Sequence, residues 1–139
     1  MPEFQPIHTP AIEPQPDAFT VGYLTCAEWL MPEPRDKDSE GPSSDDALGF
    51  SEEAVAEAVR ECAEFQAQNA ALLEAAYGRG YSEAQAGHDF WLARNLFAVG
   101  YWDRDELEEE GLADKLTKAA RGWGDTDLYV GDDCWLYFM

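Results

Sequence analysis

The sequence has few basic residues, and this shortage excludes the usual kind of nucleic-acid-binding protein. Nine lysines and arginines oppose 29 aspartates and glutamates in the 139 residues, and the formal net charge is −20. Proteins that bind nucleic acids directly present a basic surface to the phosphates. We therefore expect no direct contact with nucleic acid. The charge leaves three alternatives for the partner: a basic surface on another protein, a metal cation, or nothing specific.

Cysteine pairs and long apolar runs are also lacking. The three cysteines, Cys26, Cys62 and Cys134, are widely spaced and form no CxxC pair. An odd number of scattered cysteines without a signal sequence predicts a reduced, cytoplasmic protein, with Cys26 and Cys62 as small core residues. No apolar run approaches the roughly 18 residues of a membrane span, so we expect no membrane partner.

Motifs for catalysis or metal binding are lacking too. Of the two histidines, His88 adjoins Asp89, but successive helical residues point about 100° apart, so we predict a structural His88 that does not face Asp89. The chain has no phosphate-binding glycine loop and no nucleophile elbow. Four aspartates near the C-terminus depart from the EF-hand order, namely Asp125, Asp127, Asp132 and Asp133. We expect no catalytic residue, metal or cofactor; a small enzyme or metal-binding protein remains an alternative.

What the chain does contain is enough apolar material for one core. Hydrophobic residues make up 45% of the chain and aromatic residues 13%, which argues against full disorder. Five prolines in residues 1–16 predict an extended arm, because proline disrupts a helix interior. Residues 17–139 then form a single domain, in which residues 31–50 are a long acidic loop.

Four helices are predicted from apolar periodicity, over residues 18–30, 51–77, 82–94 and 112–123. The first three follow residues that can cap a helix, namely Asp17, Ser51 and Ser82. The aromatic and β-branched content of 18–30 leaves a strand as the alternative there.

The C-terminus predicts a β-hairpin, with strands over 128–130 and 135–138 around a turn at 131–133. Two strands alone are marginally stable, so we expect the hairpin to pack on the helices or to pair with a third segment, for which residues 96–101 are the local candidate. The predicted fold class is α+β: three to four helices with a small antiparallel hairpin or three-stranded sheet.

The acidic residues form a pattern on the 51–77 helix. Glutamates recur there at spacings of four, four and three residues, as Glu53, Glu57, Glu61 and Glu64. They lie on the side of the helix opposite the apolar Val55, Val59 and Cys62. Such a row on a rigid helix can imitate one side of a DNA backbone. A further acidic block, within 103–110, adds the candidate partner-binding residues Glu106, Glu108, Glu109 and Glu110. The alternative is a solubilising face, because like charges four residues apart cost only about 0.2–0.5 kcal/mol each.

A second pattern lies in residues 87–95 and 100–104, which are GHDFWLARN and GYWDR. It resembles a family of small acidic proteins encoded by bacteriophages and prophages, with the motif GHDFW-x-x-RN … G-[FY]-WDR. The resemblance covers roughly residues 18–138 and departs at 96–99, where LFAV replaces a stretch rich in glycine and histidine. The family has no settled biochemical role, so the resemblance implies a phage origin and a bacterial host cytoplasm.

Together, charge and resemblance lead to one main hypothesis and one rival. The main hypothesis is a phage-encoded inhibitor of a host nucleic-acid-binding defence complex, of the anti-CRISPR or anti-restriction type, that acts through an acidic DNA-mimic surface. The rival is a protein-interaction module that uses the motif, for which an exposed Trp91 or Trp102 would be the sign. We expect the motif to form a structural hydrogen-bonded network instead, with Asp103 pairing with Arg94 as an example. Its polar and aromatic members are His88, Asp89, Trp91, Arg94, Asn95, Trp102, Asp103 and Arg104.

Overall fold

The computed structural model describes residues 16–30, 48–95, 101, 104, 107 and 111–138. Within these ranges the fold is α+β, as predicted. The helices are Ala18–Trp29 (α1), Glu52–Gln68 (α2), Ala70–Tyr77 (α3), Glu83–Arg94 (α4) and Leu112–Arg121 (α5). The strands are Gly49–Phe50 (β1), Leu128–Val130 (β2) and Trp135–Phe138 (β3). The predicted N-terminal arm up to residue 15, and residues 31–47 of the acidic loop, lie outside the described residues.

The three predicted helix caps are confirmed. Each cap side chain accepts a hydrogen bond from the backbone N–H three residues later, at 2.8 Å for Asp17 and 3.0 Å for Ser51 and Ser82. Such bonds satisfy amides that the first helical turn leaves unpaired. Residues 18–29 are accordingly a helix, and the strand alternative is wrong.

The predicted helix over 51–77 is two helices, α2 and α3, which meet at Asn69. Both the backbone N–H and the side-chain Nδ2 of Asn69 donate to the carbonyl of Phe65, at 3.1 and 2.9 Å. Asparagine side chains compete in this way with the backbone ladder, and here the backbone leaves the helical region at φ −120°. This break gives five helices in the described part where three to four were expected.

α4 touches α1 backbone to backbone. A Cβ added to Gly87 would stand 1.8 Å from the carbonyl oxygen of Phe19, and one added to Gly22 would stand 2.0 Å from that of Ala84. The two helices therefore approach closely only because each has glycine at the contact. Gly87 is the first residue of the GHDFWLARN motif, and its role in this structure is helix packing.

The sheet has the order β1-β3-β2, with β2 antiparallel and β1 parallel to β3. The predicted hairpin and small three-stranded sheet are confirmed, and the sheet is mixed because β1 runs parallel to β3. The suggested third segment was residues 96–101, of which Tyr101 alone is described. The described third strand is β1, next to the start of α2. It pairs with β3 because the N–H of Leu48 donates to Cys134 O at 2.8 Å and that of Ser51 donates to Leu136 O at 3.0 Å. Residues 96–100 lie outside the described residues.

The described helices and sheet share one hydrophobic core, in which Cys26 and Cys62 are fully buried, as predicted. Burial raises the pKa of the Cys26 thiol to about 12. Aromatic rings form the centre of this core, where Phe65 stacks on Phe90 with centroids 4.1 Å apart. In the described part of the chain, no helix combines the length and apolarity needed to cross a bilayer.

Candidate functional site

The candidate surface is the outward side of α2, which the core holds in place. Val55, Cys62 and Phe65 on the opposite side are fully buried, and Val59 packs partly buried against the core. Ser51 caps the helix start, so α2 is fixed both along its apolar face and at its N-terminus. Carboxylates on its other face are consequently held on a rigid element.

Three of the four predicted α2 glutamates face solvent. Glu53 and Glu64 are exposed, and the Glu57 side chain is 36% exposed. At 100° per residue they fall within a sector of about 40° on the helix. α2 contains one basic residue, Arg60, whose exposed Nη2 lies 3.9 Å from Glu57 Oε1, and exposed pairs of this kind contribute little.

The fourth, Glu61, does not face solvent, and its prediction as an outward residue is wrong. Its Oε1 accepts a hydrogen bond from Nη1 of Arg94 at 3.1 Å, and its side chain is 17% exposed. The physical reason is that Arg94 is only 4% exposed, and a buried cation requires a counter-charge. Glu61 lies at the edge of the acidic sector nearest the core, so it supplies that charge.

Without Glu61 the acidic row is sparser than a DNA strand. Glu57 and Glu64 are seven residues apart, which is about 10.5 Å along the helix. One strand of B-DNA carries a negative charge every 3.4 Å or so of its axis. The exposed row, Glu53, Glu57 and Glu64, therefore matches DNA in the sign of its charge and not in its spacing.

Arg94 connects four parts of the fold. Besides Glu61 on α2, it donates to the hydroxyl of Tyr23 on α1 at 3.0 Å and to Gly124 O, beyond α5, at 2.9 Å. Its guanidinium also lies over the rings of Phe90 and Trp123, at 5.4 and 5.8 Å from their centroids. The suggested partner, Asp103, lies outside the described residues. Arg94 thus acts as an internal cross-link between helices.

Asp89 is the centre of a second internal network. Its fully buried carboxylate accepts hydrogen bonds from Arg104 Nε and Nη2, at 2.8 and 2.7 Å, from Gln85 Nε2 at 3.1 Å, and from the hydroxyl of Tyr81. Burial raises the pKa of Asp89, but the bonds from Arg104, His88 and Tyr81 outweigh burial and hold that pKa below its ordinary value. The carboxylate is therefore ionised at neutral pH and ties Arg104 to α4.

His88 contacts Asp89, contrary to the prediction. Its Nδ1 lies 3.3 Å from Asp89 Oδ1, although the two residues are neighbours on α4. Their Cβ atoms point about 100° apart, but the half-buried His88 ring turns back toward the buried carboxylate and so reaches it. Asp89 also carries the bidentate bond from Arg104, so its contact with His88 is one part of a larger structural network.

The other described motif residues also lie inside the fold. Trp91 is buried, with its ring edge against Tyr23, which removes the exposure that a recognition role for Trp91 would require. Asn95 Oδ1 accepts from the N–H of Thr126 at 2.9 Å, and its Nδ2 donates to Trp91 O at 2.9 Å. Trp102 and Asp103 lie outside the described residues.

Sequence reasoning missed several partners in these networks. Gln85 and Tyr81 precede Asp89 by four and eight residues, and this helical spacing was an available signal. Tyr23 and Glu61 carried no such signal, because they reach Arg94 only through tertiary packing.

The further acidic block cannot be placed directly, since Glu106, Glu108, Glu109 and Glu110 lie outside the described residues. Their described neighbours are fixed to the body of the protein. The buried Tyr101 donates from its hydroxyl to Ala86 O at 2.8 Å, and the N–H of the buried Leu107 donates to Arg104 O at 2.9 Å.

In the described part of the chain, no group of three histidine, cysteine or acidic side chains has an arrangement suited to a metal ion. Comparisons with protein-family models, with curated proteins and with solved structures return no match for this chain. The site is accordingly defined by its own geometry: exposed carboxylates on a rigid helix of an α+β domain.

Proposed function

We propose that the protein is a phage-encoded inhibitor that binds a basic, nucleic-acid-binding host defence complex of the anti-CRISPR or anti-restriction type. The observation that carries the proposal is the set of exposed carboxylates, Glu53, Glu57 and Glu64, on one side of a rigid helix. They belong to a chain with net charge −20. A surface of this kind complements a groove lined by lysine and arginine.

Long-range attraction supports the same proposal. A strongly negative protein is drawn toward a positive groove before contact, which raises the association rate. Salt weakens this attraction, since charges more than about 8 Å apart are largely screened at physiological ionic strength. The affinity for the target is therefore expected to fall steeply between low and moderate salt.

Inhibition in this proposal comes from occupying the groove that nucleic acid would use. The wide spacing of Glu57 and Glu64 means that α2 alone does not reproduce successive phosphates. The block that contains Glu106, Glu108, Glu109 and Glu110 therefore contributes further negative charge in this proposal. The protein imitates the charge of DNA and not the spacing of its phosphates.

The experiment compares two charge-reversed variants with equal net charge. A basic DNA-binding complex is captured from host lysate on the immobilised protein at low salt, eluted with salt and purified. Its affinity is then measured for Glu57→Lys/Glu64→Lys and for Glu74→Lys/Glu83→Lys, whose altered residues are exposed on α3 and α4. We expect the first variant to lose at least tenfold in affinity and the second to stay close to wild type, and duplex DNA should compete with the wild-type protein.

Two outcomes contradict the proposal. Equal losses in both variants would mean that net charge alone drives binding, without a defined surface on α2. A complex that binds DNA and this protein simultaneously would contradict inhibition by occupation of the groove. Circular dichroism of each variant checks that folding is retained.

A further inference from the structure

A cleft opens between β3 and the start of α2. Its volume is about 380 Å³, and its lining residues are Ser51, Glu52, Glu53, Trp135 and Tyr137. Glu53 is the only member of this group that belongs to the acidic row of α2. The cleft is therefore a separate feature at one end of that row.

One wall of the cleft is aromatic because successive side chains of β3 point to opposite faces of the sheet. Leu136 points into the core and is fully buried, so its neighbours Trp135 and Tyr137 project from the opposite face of the sheet. Tyr129, directly across from Tyr137 on β2, stacks on it with ring centroids 5.7 Å apart and an angle of 27°. Tyr129 is 40% exposed, so this aromatic face is accessible to a partner.

The hairpin turn holds the aromatic wall in one orientation. The Tyr137 hydroxyl donates to Asp133 Oδ2 at 2.6 Å, and Asp133 Oδ1 accepts from the N–H of Trp135 at 3.0 Å. The hydrogen bond to Asp133 raises the pKa of Tyr137 to about 12, so the phenol is neutral at physiological pH. Asp133 thereby holds the Tyr137 ring with one carboxylate oxygen and the Trp135 backbone with the other.

The other side of the cleft is negative. Glu52 and Glu53 occupy the first turn of α2 and are exposed. A bare helix N-terminus attracts anions, but two carboxylates at this position reverse the local charge. The Oγ of Ser51 is engaged as the helix cap. A cation that enters would thus meet two carboxylates and two aromatic rings.

We infer that this cleft receives an arginine side chain of the basic partner. The guanidinium group stacks flat on aromatic rings and pairs with carboxylates through two parallel hydrogen bonds, whereas the lysine ammonium is a compact, strongly hydrated point charge. The cleft lies near the lower end of the roughly 300–1,000 Å³ range of ligand pockets, a size suited to one side chain. The inference rests on the proposed function for the basic character of the partner.

The experiment uses hexa-arginine and hexa-lysine peptides, which carry equal charge, with the full-length protein at low salt. Binding is followed by NMR through the indole N–H signals, with that of Trp135 assigned from Trp135→Leu. We expect hexa-arginine to shift the Trp135 signal and to leave that of Trp29, which is 63% exposed on α1, nearly unchanged. Hexa-arginine should bind at least fivefold more tightly than hexa-lysine.

Variants separate the inference from the proposed function. We expect Glu52→Gln/Glu53→Gln to weaken hexa-arginine binding at least tenfold, and the conservative Tyr137→Phe, which keeps the ring, to bind within about threefold of wild type. The control Glu57→Gln/Glu64→Gln makes the same charge change further along α2. Glu52 and Glu53 are exposed, so their variant tests the cleft even if Trp135→Leu does not fold.

Each outcome decides one question. Equal affinity for the two peptides, an unmoved Trp135 signal, or unchanged affinity of Glu52→Gln/Glu53→Gln overturns the inference. If only the Glu57→Gln/Glu64→Gln control weakens binding of the purified host complex, the inference fails and the proposed function stands. If neither pair weakens that binding, both fail.

Discussion

Arg94 and Glu61 form an ion pair across 3.1 Å between Nη1 and Oε1, and this pair joins α4 to α2 within the fold. It divides the glutamates of α2 into two groups with different roles. Glu61 supplies the counter-charge of a buried cation, while Glu53, Glu57 and Glu64 are left to the surface. A substitution at Glu61 is therefore expected to act on folding, and substitutions at the other three on binding.

Truncation of Glu61 tests this division. We expect Glu61→Ala to lower the free energy of unfolding by about 3 kcal/mol, since breaking a buried pair leaves an uncompensated charge. Glu57→Ala, which breaks an exposed pair with Arg60, should cost less than about 1 kcal/mol. Urea denaturation measures both values, and equal effects would show that Arg94 does not depend on Glu61.

The pH dependence of stability should depend on Asp89. Its pKa lies below the ordinary value of 3.8, so its ionised form stabilises the native state. That contribution is complete above pH 3.8 and is lost as the pH falls through the lowered native pKa. We expect Asp89→Asn to be less stable than wild type by about 3 kcal/mol at pH 7, and the difference to shrink below pH 3.8.

A double-mutant cycle with Arg104 checks the cause. If the bidentate bond accounts for the effect, Arg104→Gln and Asp89→Asn are non-additive, with a coupling energy of about 1 kcal/mol or more. Additive losses, or a difference between wild type and Asp89→Asn that stays constant down to pH 2, would contradict the assignment.

Gly87 should be intolerant of any side chain. A Cβ there would stand 1.8 Å from Phe19 O, on the backbone of α1, which cannot rotate away as a side chain would. We expect Gly87→Ala to lose more than about 3 kcal/mol or to fail to fold, at or beyond the upper end of overpacking effects. The matched control is Gly78→Ala, because a Cβ there is 3.5 Å from its nearest neighbour and φ is −63°.

The control variant should be neutral or up to about 1 kcal/mol more stable, since alanine restricts the unfolded chain. Thermal unfolding by circular dichroism distinguishes the two variants. A folded Gly87→Ala with near-wild-type stability would mean that α1 and α4 do not touch at this point.

The features of the fold that depend on residues close together in the sequence were predictable. Asp17 and Ser82 were identified as caps because a capping side chain bonds to an amide only three residues away. The apolar stripe of α2 follows from helical spacing alone. The break at Asn69 was missed because asparagine is tolerated in helices. Its side-chain bond to Phe65 O and its φ of −120° are visible in the structure and not in the sequence.

Contacts between distant segments had no sequence signal. β1 contains two residues, too few for any periodicity, and its pairing with β3 depends on where α2 begins. The ion pair of Glu61 with Arg94 spans 33 residues and interrupts an outward row that looked regular in the sequence. The sequence thus predicted a negative outward face on α2, but it did not predict that Glu61 is absent from that face.

The hairpin turn offers a final prediction, at Cys134. The N–H of Cys134 donates to Gly131 O at 2.9 Å, which closes a turn, and Cys134 itself has φ 68°. A turn followed by a left-handed residue is a common hairpin connection, and glycine is the residue that adopts this conformation without strain. In this chain Gly131 lies at the first turn position instead, where a Cβ would stand 2.6 Å from the Tyr137 ring.

We therefore expect Cys134→Gly to raise the free energy of unfolding by about 1 kcal/mol, because relief of left-handed strain exceeds the entropic cost of glycine. Asp132→Gly is the matched control: it adds the same flexibility to the same turn where φ is not positive, so it should cost about 0.5–1 kcal/mol. Urea denaturation compares both variants with wild type. Equal losses would show that Cys134 is unstrained, whereas opposite signs would place the strain of this hairpin at Cys134, where a residue other than glycine has a left-handed φ.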